Sequence, residues 1–158
     1  MLSGGLGLQS QPMTPQIRTT PFAATLLGAS LPHDKTKSYG QEIKSLLDRL
    51  WPALKAGPVP NKGLNWVVYD GCERVFAGVE ADVAGAAALG LERRSLQIGR
   101  HAWIKHVGPY QLLGGAYAAI EKAIAELGLR GGQPRVEVYG HWDRDERKLE
   151  TELVVPVG

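Results

Sequence analysis

Arg135-Val136-Glu137-Val138-Tyr139-Gly140-His141-Trp142 is the stretch whose reading decides the fold. β-Branched and aromatic residues alternate there with polar ones at period two, which predicts a strand. The alternation places Arg135, Glu137, Tyr139 and His141 on one face of a sheet, and Val136, Val138 and Trp142 on the other. A carboxylate beside an aromatic ring fits a ligand-binding group, and it also fits a solvated outer face. Taken alone, the pattern leaves both open.

Working outward, Gly108-Pro109 opens a helix whose apolar stripe is Tyr110, Leu113, Tyr117, Ile120, Ile124 and Leu127, stopped by Gly128 and Gly131-Gly132. A strand over Gln97 to His106 precedes it, with Ile98, Ala102 and Ile104 alternating against His101 and Trp103. Leu149 to Val155 returns as the last strand, and Asp143 to Lys148 is a charged hairpin tip. Earlier in the chain, Phe22 to Leu27 predicts a buried strand, followed by a loop from Gly28 to Thr36 in which His33 has no role. A helix from Ser38 to Lys55 carries Ile43, Leu46, Leu47, Leu50, Trp51 and Leu54 at three- and four-residue spacing, and Pro58 and Pro60 close it. Leu64 to Tyr69 and Val75 to Val79 form a hairpin about Asp70-Gly71, and Asp82 to Gly90 connects two halves.

Strand, helix, strand, strand is thus stated twice, over about 17–82 and 91–157. A shift of 70 positions lays Ile43 on Leu113, Leu47 on Tyr117, Leu50 on Ile120, Leu54 on Ile124 and Tyr69 on Tyr139. The expected fold is α+β: duplicated β-α-β-β units forming an antiparallel sheet, with two helices on one face and an open ligand groove on the other. The same shift lays Glu137 on Val67, so the halves share a shape but not a charge.

The 158 residues fit one domain, spanning 17–158 after a Gly-, Ser- and Pro-rich tail over 1–16, and Met13 is a candidate start. Hydrophobic residues at 44% and charged ones at 22% argue for a globular chain. The 18 basic and 16 acidic residues are scattered rather than gathered into a stripe, so nucleic acid is not an expected partner. No run approaches the roughly 20 apolar residues that span a bilayer. A single cysteine, Cys72, makes no internal disulfide, and a cytoplasmic location is expected. His101, His106 and His141 with Asp143 and Asp145 lack the spacing of an HExxH or paired CxxC motif, so neither a metal nor a cofactor is expected.

His106-Val107-Gly108-Pro109-Tyr110, followed by Leu113 and Tyr117, then Val136-Glu137-Val138-Tyr139 and the closing Leu153 to Val157, resemble the GyrI-like small-molecule-binding family. This is the effector-binding module found at the end of multidrug-responsive transcription regulators. The resemblance covers about Ile17 to Pro156 and implies a pocket for lipophilic, often cationic, aromatic compounds, with the family's pocket glutamate mapped onto Glu137. It also implies two other functions: hydrolysis of cyclopropane-bearing electrophiles with Glu137 as general base, and inhibition of gyrase through a protein contact. A counterpart of the regulators' helix-turn-helix domain is not expected, since the residues over 1–16 are too few and too Gly- and Pro-rich to form one.

A carboxylate among aromatic walls carries a desolvation cost of several kcal/mol, which an entering cation offsets by Coulomb attraction. Ring faces add about 0.5–2 kcal/mol by cation–π contact. Glu137 supplies the charge, Tyr139 is its same-face neighbour, and Tyr110, Trp103, Tyr69 and Trp66 are the candidate walls. Trp66 and Tyr69 lie on opposite faces of one strand, which favours Tyr69. Trp51 and Trp142 are assigned to the core, and Arg135 and His141 receive no role.

Overall fold

The computed structural model describes residues 14–158, so Met13 lies outside the described residues. Its elements are β1 (Gln16–Arg18), β2 (Phe22–Pro32), α1 (Tyr39–Ala56), β3 (Asn65–Asp70), β4 (Arg74–Glu80), β5 (Glu92–Ile98), β6 (His101–Val107), α2 (Leu113–Glu126), β7 (Arg135–Tyr139) and β8 (Glu150–Pro156). The eight strands make one antiparallel sheet in the order β1-β6-β8-β7-β3-β4-β2-β5. The centre of that order shows the repeat: β6-β8-β7 from the second unit mirrors β3-β4-β2 from the first. β7 and β3 meet at the seam, where Val67 pairs with Glu137. These are the two positions that the 70-residue shift superposes, so the pseudo-twofold axis passes through this pair.

Register assigns every side chain to a face. Ala102 and Ile104 of β6, Leu153 and Val155 of β8, Glu137 of β7, Val67 of β3, Val75 and Ala77 of β4, and Leu27 and Ala29 of β2 lie on one side. Both helices pack there. Leu46, Leu50 and Leu54 of α1 cover β2, β3 and β4, while Ala116, Ile120 and Ile124 of α2 cover β6 and β8. Full burial of each Leu or Ile contributes about 1.5–3 kcal/mol. Ser38 caps α1, accepting from the Gln41 N–H while its own N–H donates to the Gln41 side chain.

The opposite face is covered by the sheet itself. Leu26, Trp66, Val68, Phe76, Leu96, Val136, Val138 and Val154 form a buried cluster there. Phe22 at the start of β2 reaches both Trp66 and His101, with ring centroids 5.6 and 5.7 Å away. β2 and β6 are far apart in strand order, so that contact requires the sheet to curl until it fills its own concave side. The groove is therefore not on the face away from the helices, as the sequence pattern suggested. It lies between the two helices, on the face they share.

Other expectations move with the register. Gly28 to Leu31 are strand rather than loop, because β2 runs on to Pro32 alongside β4. Small residues read as a loop are needed here: a methyl group on Gly28 would lie 2.2 Å from the Ala77 carbonyl oxygen and 2.7 Å from the Phe76 ring. The span Gln97 to His106 is two strands, and β5 begins back at Glu92. Its charged start hid it, since an edge strand keeps Glu92 and Arg93 in solvent. β5 joins β2 of the first unit, while Gln16 of the expected tail joins β1 beside β6 of the second. Tyr110 to Leu112 form a 3₁₀ turn before α2, and Leu127 lies beyond its end, largely exposed. β7 stops at Tyr139, which leaves His141 and Trp142 in the following loop.

No described helix is long and apolar enough to cross a membrane. Crowding at the β2–β4 contact yields a stability prediction. Gly28→Ala is expected to lower unfolding free energy by about 1–3 kcal/mol, read as a lower urea midpoint at unchanged slope.

Candidate functional site

Glu137 is a buried acid, 4% exposed, at the seam of the sheet. Three phenols close on it. Tyr69 of β3 donates to Oε1 at 3.0 Å, Tyr139 of β7 donates to the same oxygen at 2.6 Å, and Tyr117 of α2 donates to Oε2. Tyr69 and Tyr139 are equivalent positions of the two units, so the pseudo-twofold axis brings both hydroxyls to one oxygen. Tyr117 breaks the symmetry, because its equivalent in α1 is Leu47. A carboxylate offers about four lone-pair sites, so one remains open beside Tyr117.

Burial, reinforced by the neighbouring Glu137 charge, raises the Tyr69, Tyr117 and Tyr139 hydroxyls well above the ordinary phenol range. The three groups therefore stay donors at neutral pH. Tyr39 at the head of α1 stands edge-on to Tyr69 with centroids 5.2 Å apart, and stacks on His33 at 4.1 Å. His33 in turn meets the buried Glu42 carboxylate at 2.6 Å. The Asp34 backbone N–H and His33 hold the Glu42 carboxyl below its usual range against the opposing effect of burial. His33 thus fixes the entry to α1, a role that the sequence left unassigned.

The groove between the helices has two lobes, one on each side of the phenol cluster. One, of about 400 Å³, is lined by Tyr39, Tyr69, Tyr117, Gln133, Arg135 and Glu137. The other, of about 420 Å³, has Ile43, Leu47 and Val67 as apolar walls and Tyr110, Tyr139 and Trp142 among its other sides. Tyr110 stands edge-on to Tyr139 at 5.3 Å. Trp142, expected in the core, is 75% exposed at the rim of this lobe. Its loop position frees it from the strand alternation that had placed it opposite Glu137.

Of the residues singled out from sequence, the structure brings Glu137, Tyr139, Tyr69 and Tyr110 to the groove. Trp66 and Trp103 are on the other face, since Trp66 pairs with Val138 and Trp103 with Val154. Trp66 is buried in the concave cluster. Trp103 donates its indole N–H to Glu152 at 2.8 Å and lies under the Arg18 guanidinium at 3.6 Å. Neither can line a pocket with Glu137. Tyr117 and Arg135 were missed as site residues. Tyr117 sat on a helical stripe, where an aromatic ring reads as core, and the signals were its place in the motif after Tyr110 and a hydroxyl facing leucine under the 70-residue shift. His101, His106 and His141 each turn a ring nitrogen to a backbone carbonyl, those of Gly99, Pro109 and Lys62.

No family model matches the chain, and no curated protein sequence matches it. Solved structures share the fold. The C-terminal domain of EcmrR superposes with a TM-score of 0.74 at 16% identity, covering 94% of this chain and 99% of that one. A hydrolase from Listeria innocua gives 0.58 at 14% identity over 99% and 98%. The SAV2435 protein bound to tetraphenylphosphonium gives 0.57 at 14% identity over 94% of each. At these identities the likeness shows the fold alone.

The phenol cluster makes stability depend on pH at the alkaline end. The folded hydroxyls titrate above the ordinary value of 10.0, so above that pH the unfolded chain releases protons which the native chain retains. The linked stability is complete below pH 10 and falls as pH rises further. Absorbance at 295 nm is expected to show Tyr69, Tyr117 and Tyr139 ionising only together with the loss of folded circular dichroism.

Proposed function

We propose that this chain is a small-molecule-binding protein of the GyrI-like kind, taking lipophilic, cationic aromatic compounds in the groove between α1 and α2. The observation that carries this reading is a single buried carboxylate, ringed by three phenol hydroxyls, between two lobes with aromatic and apolar walls. A cation beside Glu137 gains about 4 kcal/mol of attraction at 4 Å and an effective dielectric of 20. Flat rings then stack against Tyr39, Tyr110 and Trp142, which favours breadth over selectivity. The fold shared with a protein bound to tetraphenylphosphonium supports the reading. A cytoplasmic location goes with it, since Cys72 is the chain's one cysteine. The test is a titration of rhodamine 6G into wild type and Glu137→Gln. The variant is expected to bind about tenfold more weakly, or ~1.4 kcal/mol, and equal affinity would remove Glu137 from the site.

A hydrolase reading draws on the same carboxylate and on the fold shared with the Listeria innocua hydrolase. The open lone pair beside Tyr117 would receive a proton from water as its oxygen bonds to a ring carbon of a cyclopropane conjugated to a carbonyl; the ring C–C bond breaks, its electron pair passes to the carbonyl oxygen, and the resulting enolate takes up a proton. Mass spectrometry of such a compound incubated with purified protein separates the readings. Product in excess of protein, lost in Glu137→Gln, supports hydrolysis, whereas stoichiometric binding without product retires it.

A further inference from the structure

The lobe beside Tyr69 contains a positive charge as well as a negative one. Arg135 stands two residues before Glu137 on β7, on the same face, and both line this lobe. Glu121 of α2 engages the guanidinium from outside, with Nη1 and Oε1 2.6 Å apart. Glu121 is the more exposed partner, at 50% against 26% for the arginine side chain. Arg135 Nε is buried and has no hydrogen-bond partner among the described residues. A guanidinium stays charged and carries five N–H donors, so the single Glu121 contact leaves it with donors in surplus.

The rest of the lobe adds to that surplus. Gln133 accepts from the Gly71 N–H through its side-chain oxygen, which leaves its amide NH₂ as the free end. The Glu137 carboxylate already receives three hydroxyls. The one carboxylate lining the lobe is thus engaged at its other end, and a plain cation lying beside Arg135 meets it as a like charge.

We propose that the ligand of this groove is amphoteric: a flat aromatic cation whose attached carboxylate, or comparable anionic acceptor, is held in this lobe by Arg135 and the Gln133 amide. The proposal rests on the binding reading above and narrows its ligand class. The cationic ring system lies toward Glu137 and the phenols. The anionic arm engages Arg135 by charge-assisted hydrogen bonds, which are stronger than neutral ones and orient the ligand along the groove.

Rhodamine 6G and its free acid, the same dye with the ethyl ester hydrolysed, form the matched probe pair, with fluorescence anisotropy as the readout. Wild type is expected to prefer the free acid by about tenfold, and Arg135→Gln to bring the ratio of the two affinities to about one. Glu121→Gln, which releases the guanidinium without removing it, should raise the ratio. A wild-type ratio at or below one overturns the proposal even if no Arg135 variant folds, and so does a ratio unchanged in folded Arg135→Gln. If the ester binds with dependence on Glu137 but the acid has no advantage, only this proposal fails. If neither dye binds, the reading of the groove fails with it.

Discussion

A carboxylate taken out of water between two sheet halves has to find its hydrogen bonds inside the protein, and here Glu137 finds them on three different elements. β3, β7 and α2 each send one phenol to it. An unsatisfied buried charge would cost several kcal/mol, so the positions of these elements are tied to one another through a single side chain. Because the acid sits on the pseudo-twofold axis, it ties the two repeats together where each would otherwise present only the edge of its sheet. The same hydroxyl shell tunes the groove. It leaves the carboxylate about one unoccupied lone-pair site, and with every O–H turned to Glu137 it presents hydroxyl oxygens as acceptors to the space between the lobes.

Duplication explains why the groove lies where it does. Each unit covers its own strands with one helix, and the seam where β3 meets β7 lies between the two helical covers. Val67 and Glu137 occupy that gap side by side. Curling of the sheet away from the helices closes the other face over Trp66, Phe76 and Val136, which leaves the helix side as the place where a cavity persists. Bidentate contact between Arg94 of β5 and Asp70 of β3, at 2.7 and 2.6 Å, spans the curled side and braces it.

Much of this was legible in the sequence, and the failures have identifiable causes. Periodicity located both helices because each buries one stripe against one sheet. The alternation in Arg135 to Tyr139 put Glu137 and Tyr139 on one face, and the 70-residue shift set Tyr69 opposite them. β5 was hidden because an edge strand needs only one apolar face and tolerates charge on its free side. Gly28 to Leu31 looked like a loop because the residues that permit close strand contact are also those that favour turns. Trp66 and Trp103 drew attention as large aromatics, yet the register places both on the curled face.

The sequence by itself determined the repeat, the amphipathic stripes and the side of the strand on which Glu137 stands, since these follow from short-range periodicity. Only the tertiary structure decided that this side is the helical one, that Tyr117 completes the cluster in place of a leucine, and that Arg135 shares the lobe. Those outcomes depend on which helix crosses which strand and on how far the sheet curls, long-range quantities that no local spacing encodes. The Arg135 to Tyr139 strand was readable from its pattern, whereas two of the three hydroxyls around its carboxylate come from positions 69 and 117 and meet it only in the folded chain.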